Sequence, residues 1–246
     1  ALVNIAGQFG DITIKSGEMT LGQSWRTVQG QTLTIASGAK FTVPANMTFE
    51  VFQNTHVIVN GTLVTDGTVY LQLNATVKAA EGLNVTTNVA DHKVVYEDGV
   101  YKVVAKVYIA QTETGAKFET LQEAVNAGTT VTLLQPAIGA GVVIDKNVTI
   151  DFATYTYTVN RAVGSTGTET LGFQILKDND VTLKNGTLTS TAVTSGKEVK
   201  MLIQNYANLT LTDMNLVDNT GYIQYALSNN SGETYVNGET YITVGD

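Results

Sequence analysis

Apolar and polar residues alternate along most of this chain in short runs, and Gly, Asn, Asp or Pro closes nearly every run. A period of two predicts strands with one buried face. Residues 117–159 break the pattern once, with a helix. Thr120 is followed three residues later by Glu123, a capping box in which each side chain would satisfy the other's amide, and Gly128 stands where a left-handed C-terminal residue belongs. Leu121, Ala124 and Val125 form one apolar stripe, while Gln122, Glu123 and Asn126 point away. The predicted helix, about 120–127, is too short to stand alone and must lie on something apolar. Thr130-Val131-Thr132-Leu133-Leu134 then reads as a strand, stopped by Pro136 and a loose Gly139-Ala140-Gly141. Val142-Val143-Ile144 and Val148-Thr149-Ile150-Asp151-Phe152 read as two more, separated by an Asp145-Lys146-Asn147 turn.

The later chain repeats itself. Residues 173–188 (FQILKDNDVTLKNGTL) align without a gap on residues 201–216 (MLIQNYANLTLTDMNL), an offset of 28 that sets Ile175 over Ile203, Val181 over Leu209, Leu183 over Leu211 and Leu188 over Leu216. A looser third copy sets Asn185-Gly186 over Asn237-Gly238 at an offset of 52, two turns of roughly 26 residues, inside the window that implies solenoids. Short strands joined by Asn, Asp or Gly mark a coil that turns corners rather than a stack of hairpins.

The first part of the chain follows the same logic. Ile12-Thr-Ile-Lys-Ser-Gly17 matches Leu33-Thr-Ile-Ala-Ser-Gly38 at an offset of 21, and Val57-Ile-Val-Asn-Gly61 follows at 23. Asn60-Gly61-Thr62-Leu63 reads as the same corner as Asn185-Gly186-Thr187-Leu188. Further strands are expected at Phe49-Glu-Val51, Val69-Tyr-Leu-Gln-Leu73 and Leu83-Asn-Val85. Residues 94–104 instead place Asp98-Gly99 between two alternating runs, the signature of a hairpin. The fold class is thus all-β, a β-solenoid in two tandem segments, 1–105 ending in the hairpin and 106–246 opening with the helix.

The order Phe118-x-Thr-Leu-x-Glu-Ala-Val125, Val131-Thr-Leu-Leu134 and Lys146-Asn-Val-Thr-Ile-Asp151 resembles the opening of right-handed parallel β-helix domains, pectin-lyase-like in fold, in bacterial cell-surface proteins. In those relatives a short helix covers the open first coil, and the Asp98-Gly99-Val-Tyr-Lys102 hairpin is similar to the junction between their modules. The resemblance spans residues 94–159 and implies a fold, since the same fold carries lyases, hydrolases, adhesins and fibres. It departs in two places: Ala153-Thr154-Tyr155 replaces a usual glycine after the Asp151 strand, and no lyase or hydrolase motif is visible.

Composition narrows the classes. The chain has 246 residues, 43% hydrophobic and 15% charged, enough for a real core. Cysteine is absent, which excludes disulfides and thiolate chemistry, and a solenoid needs no such staples because each coil is buried by its neighbours. A net charge of −8 with only Arg26 and Arg161 as arginines leaves no basic patch for nucleic acid or an anionic membrane. No stretch is long and apolar enough to span a bilayer, no secretion signal is visible, and the Thr-, Asn- and Gly-rich composition suits an extracellular location.

Candidate chemistry is sparse. Lys177, Asp178, Asp180 and Lys184 surround one turn and contain the groups for polysaccharide cleavage or calcium, yet the next repeat carries Asn205, Tyr206, Asn208 and Thr212 there, as turn geometry alone would allow. His56 and His92 stand in different segments with no motif around either. Tyr155 and Tyr157 share a strand face with Val159, a core arrangement by default. Tyr222, Tyr225, Tyr235 and Tyr241 are the binding candidates, because a terminal coil has a face and an edge without neighbours. Sequons at Asn46, Asn60, Asn74, Asn84, Asn147, Asn185, Asn208 and Asn229 are candidate glycosylation sites, although Asn at a corner before a Thr-rich strand produces the same motif. Tyr241-Ile-Thr-Val244 lies just before Asp246 and Leu2-Val-Asn-Ile5 precedes Gly7 and Gly10, so either the sequence is an excerpt of a longer solenoid or copies of itself complete the ends.

The expected function is a non-catalytic extracellular surface protein that self-assembles end to end into a filament, sheath or layer, with copies of itself as partners through terminal coils. An adhesin or glycan-binding module with carbohydrate as partner is the alternative, and a polysaccharide lyase or hydrolase comes third. No cofactor, metal, nucleic acid or membrane insertion is expected.

Overall fold

The structure, a computed structural model, describes residues 2–3, 10–191 and 198–243. The chain divides into two compact units, Ala1–Lys106 and Val107–Asp246, and winds through about 9 turns of β-solenoid with one helix. Of the expected terminal segments, Asn4, Ile5, Gly7 and Val244 lie outside the described residues.

The first unit runs through β1 (Leu2–Val3), β2 (Ile12–Ile14), β3 (Gly17–Leu21), β4 (Trp25–Arg26), β5 (Thr32–Ile35), β6 (Ala39–Val43), β7 (Thr48–Val51), β8 (His56–Val59), β9 (Thr62–Thr65), β10 (Thr68–Leu71), β11 (Thr76–Lys78), β12 (Val85–Thr86), β13 (His92–Glu97) and β14 (Val100–Ala105). Successive strands fall on different sheets, ordered β1-β3-β6-β9, β12-β10-β7-β4 and β13-β14-β11-β8-β5-β2. Strands one turn apart pair in parallel, which makes a three-sided coil. Period-two alternation then sends one set of side chains inward as columns, among them Ile12, Leu33, Val57 and Val77. Trp25 stacks on Phe49 at 5.0 Å between centroids, and Phe41 meets Phe49 edge-on at 5.4 Å. At a corner the buried Thr27 hydroxyl donates to that of buried Thr55 at 3.3 Å and accepts from the Phe52 amide at 2.8 Å, while Thr55 donates to the Val28 carbonyl at 2.9 Å.

The offset of 23 expected for the second corner divides into two. Leu33 pairs with Val57, 24 residues on, while Lys40 pairs with Thr62, 22 on. The corner at Gly61 therefore differs from that at Gly38, which has φ +80°; a methyl at Gly61 would strike the carbonyl oxygens of Ala36 and Ala39. Nor is it the Asn185-Gly186 corner, since Asn185 has φ 60° and Asn60 is not left-handed. The expected hairpin is β13–β14, with Asp98 (φ 51°) and Gly99 (φ 77°) as its two-residue turn. It docks antiparallel on β11, Thr76 opposite Lys102, and ends the parallel stacking of that sheet.

The second unit contains β15 (Ala110–Thr112), β16 (Lys117–Phe118), α1 (Leu121–Ala127), β17 (Thr130–Leu133), β18 (Ala137–Ala140), β19 (Val142–Ile144), β20 (Val148–Asp151), β21 (Thr156–Arg161), β22 (Leu171–Ile175), β23 (Asp180–Ser190), β24 (Met201–Asn205), β25 (Asn208–Val217), β26 (Tyr225–Asn229), β27 (Glu233–Asn237) and β28 (Tyr241–Thr243). One sheet follows β16-β15-β17-β20-β23-β21-β18, with β25 joining β23 to β27 and β28; the other is β19-β22-β24-β26. Strands β23 and β25 are long because each covers two faces. The first half of β23 pairs with β20 and its second half with β21, and the bend between them lies at left-handed Asn185.

Three local expectations change. Gly128 has φ −122°, an extended conformation, and is glycine because a methyl there would meet Thr112 Cγ2 at 2.6 Å and Glu113 Oε2 at 2.8 Å. Thr120 accepts from the Glu123 amide at 3.3 Å, but Glu123 answers by accepting the Thr120 hydroxyl at 2.7 Å rather than its amide. The supposedly loose Gly139-Ala140-Gly141 overlaps β18, which pairs in parallel with β21. Its glycines answer to packing: a methyl at Gly139 would strike the Tyr157 hydroxyl, and one at Gly141 the carbonyl of Gly172.

The repeat also loses its uniform spacing. Phe173 pairs with Ile203 and Ile175 with Asn205, an offset of 30, whereas Val181 pairs with Leu209 at 28. The turn Leu176-Lys177-Asp178-Asn179 is replaced one coil later by Tyr206-Ala207, which is two residues shorter. A slip of two preserves which side chains face inward, so the alternation survives while the partner changes. In the third copy Lys184, Thr212 and Asn237 are in register, so Asn185 stands over Gly238, one residue from the alignment expected.

Candidate functional site

The last rung of the second unit, β26, β27 and β28, differs from every rung before it. Strands β27 and β28 pair only with β25, and β26 only with β24, so beyond them no strand lies among the described residues. Val131, Ile150, Leu183 and Leu211 form an inward column, each 0% exposed; Val236 continues it and is 54% exposed. Tyr157, Leu188 and Leu216 form another, and Ile242 continues that one at 47%. These two side chains have core identity and orientation with no further strand among the described residues to cover them.

The four tyrosines occupy other positions. Tyr235 stands opposite Thr210 and Tyr241 opposite Asn215, on the outward side of the first sheet, while Tyr225 stands opposite Met201 on the second sheet and Tyr222 precedes it in a loop. Their exposures run from 52% at Tyr235 to 60% at Tyr241. Among the described residues no two of the four rings stack together. Tyr235 donates its hydroxyl to Glu233, and that bond together with the adjacent carboxylate charge raises its phenol above 10.0.

Asn205, which the repeat had set beside Lys177, is instead fully buried beneath Ile144 and Ile175. Its side-chain oxygen accepts the Ala207 amide at 2.9 Å, and its side-chain nitrogen reaches Asn229 Oδ1 at 3.0 Å and the Glu233 carbonyl at 3.2 Å. A buried amide must be fully bonded, so this ladder fixes the register of β24 against β26 and ties β27 to both.

The carboxylate cluster comes apart into supports. Asp178 has φ 66° and makes the turn. Asp180 accepts from the Asn208 side chain at 2.9 Å and its own amide donates to Asn147 Oδ1 at 2.8 Å, forming an outward column that Glu233 continues. A polar depression of ≈ 430 Å³ lies beside them, lined also by Tyr206 and Ser231. Lys184 faces elsewhere, 3.2 Å from Asp151. Burial pushes the Asp151 carboxyl up, but the Ala153 amide, the Asn185 side chain and Lys184 together hold it below its ordinary value. No group of three or more His, Asp or Glu side chains that could hold a metal comes together among the described residues.

Comparison with protein-family models, curated proteins and solved structures returned no match. The molecule's own geometry is therefore the ground for any functional reading.

His56 is exposed and His92 half-buried, with Nδ1 2.8 Å from the Thr76 hydroxyl and 2.7 Å from the Ala90 carbonyl respectively. Seven of the eight sequon asparagines are exposed and Asn185 is half-buried. Several have working side chains: Asn74 donates to Asn54, Asn84 to the Gly67 carbonyl, Asn185 to Asp151 and Asn208 to Asp180, while Asn229 accepts from Asn205. Asn46 and Asn60 are exposed corner residues. Tyr155 is half-buried against the core and Tyr157 is within it, donating to the Ala140 carbonyl at 2.7 Å, with its phenol pushed up to about 12 by burial. No helix is long and apolar enough to cross a membrane among the described residues.

Proposed function

We propose that this protein is a non-catalytic, extracellular structural β-solenoid, of the pectin-lyase-like right-handed kind found in bacterial cell-surface proteins, whose copies assemble end to end. The observation that carries this reading is the last rung, where Val236 and Ile242 continue otherwise buried columns into solvent. Covering a half-exposed Val or Ile is favourable by about 1 kcal/mol each, and open strand edges supply hydrogen bonds in the same place. The strand surface is one that another rung fits, and assembly of a non-closing kind gives a filament or sheet.

Sedimentation and negative-stain microscopy across a concentration series test the proposal. Wild-type protein is expected to lengthen with concentration, and the paired substitution Val236→Lys, Ile242→Lys to leave dispersed particles of unchanged circular dichroism. Dispersed wild-type particles at every concentration would sink it. The second reading, a glycan-binding module, draws on the outward and exposed Tyr235 and Tyr241 and on Tyr225, exposed on the other sheet. Under it, Tyr235→Ala would abolish retention on a glycan array while leaving particle length alone.

A further inference from the structure

We infer that the edge of β18 is a docking site for an extended peptide segment carrying a carboxylate, which would add as one more strand beside β18. This proposal concerns the first rung of the second unit and is independent of end-to-end assembly.

The first rung consists of β17, β18 and β19, and two of the three are closed on their outer side. Strand β15 pairs antiparallel with β17. The side chain of Gln122 takes the place of a strand on β19: the Val143 amide donates to Gln122 Oε1 at 2.8 Å, and Gln122 Nε2 donates to the Val143 carbonyl at 2.9 Å. Among the described residues, strand β18 pairs with β21 alone and has no strand on its other edge. A fold that spends an amide side chain to close one edge and a hairpin strand to close another leaves the third as an available template.

The surroundings of that edge select its occupant. A groove of ≈ 340 Å³, mainly apolar, runs along it between β18 and the start of α1, with Ile109, Leu121, Ile138 and Val163 among its walls. Ile138 is 66% exposed, the most of any large apolar side chain described. Gly139 and Ala140 offer almost no side chain to obstruct a backbone approaching β18. Arg161, directly opposite Ala140 in the register, contributes to the same groove, is exposed, and has no acidic partner among the described residues. Arg161 is the cation of a groove whose carboxylate, Glu119, accepts the Val107 amide at 3.4 Å, and the planar fork of the guanidinium suits a second carboxylate. Main-chain bonds along an edge, an apolar pocket for alternate side chains and a cation for an acidic group together describe strand addition.

The test uses the full chain with nitrogen-15 labelling, titrated with a short N-acetylated, C-amidated peptide of alternating Val and Thr that bears one Glu. Amide shifts at Ile138, Gly139 and Gly141 are expected. Replacing the peptide's Glu by Gln should weaken binding about tenfold, the scale of one charge-assisted hydrogen bond, and Arg161→Gln should abolish that difference. N-methylation of alternate peptide nitrogens should remove binding. Shifts elsewhere or none at millimolar peptide, equal binding of the N-methylated peptide, equally tight binding of hexanoate, or an Arg161→Gln protein that still discriminates Glu from Gln would each overturn the proposal.

Discussion

The first and last rungs of the second unit are built from the same columns and treated in opposite ways. At the first, Val131 is covered by β15 and by the Leu121, Ala124 and Val125 stripe of α1, and the Val143 backbone by Gln122. At the last, Val236 occupies the equivalent inward position and stands half in solvent. Column identity therefore does not decide burial in a coil; the presence of a next layer does, and each layer's stability is partly that of its neighbour. Substitution at the two ends should show this most strongly. Leu121→Ala should lower the stability of the unit by about 3 kcal/mol, whereas Val236→Ala should change it by less than about 1 kcal/mol, since half its surface is already wet. Urea midpoints compare them, and equal losses would mean that Val236 is covered in solution.

The next expected effect concerns Tyr157, inside the column that ends at Ile242. Burial holds its phenol at about 12 against an ordinary 10.0. A folded value above the unfolded one means that the stabilisation is complete below pH 10.0 and is lost as pH rises through about 12. The shift corresponds to roughly 2 kcal/mol after allowance for its partial screening. Tyr157→Phe should flatten the alkaline side of the unfolding curve, and an unchanged curve would place the loss elsewhere.

What could be read in advance follows the range of the interactions. The helix was legible because Thr120, Glu123 and the Leu121 stripe lie within two turns of one another, and the strands because alternation is local. Gln122 looked like a solvent-facing residue, since its partner Val143 is 21 residues away. Strand β18 was hidden behind Pro136, Gly139 and Gly141, residues that read as breakers although the glycines make room for Tyr157 and the Gly172 carbonyl. Asn205 looked like a turn residue because a gap-free repeat put it beside Lys177, and only the shorter Tyr206-Ala207 turn moves it inward. In the last rung the tyrosines stand out by residue type, while Val236 and Ile242 resemble ordinary core, and only the register shows that no strand among the described residues lies above them.

The corner after β20 offers a smaller test. Ala153 (φ 51°) and Thr154 (φ 71°) are both left-handed, where one coil later Asn185 and then Asp213 and Gly238 occupy the bend. A β-branched residue in that region is strained, and the Asp151 side chain, which accepts the Ala153 amide at 2.8 Å, holds the turn. Thr154→Gly should raise stability by about 1 kcal/mol, and a loss would show that the threonine side chain has a role of its own.

The smallest effect returns to the closed end. Glu113 accepts the Thr130 amide at 3.0 Å and the Thr129 amide at 3.2 Å, joining the chain after α1 to the start of β17. These bonds, with Thr130 first and those from its own amide and Thr129 after it, lower its carboxyl from 4.5 to about 2. A depressed folded value stabilises the folded state fully above 4.5, and the contribution disappears as pH falls through about 2. Because the carboxylate is exposed, the effect is local and belongs to hydrogen exchange rather than to global melting. At neutral pH the Thr129 and Thr130 amides should exchange faster in Glu113→Gln than in wild type, and the gap should close near pH 2. A gap that persists unchanged at low pH would mean that the shape of the side chain, rather than its charge, holds the covered end shut.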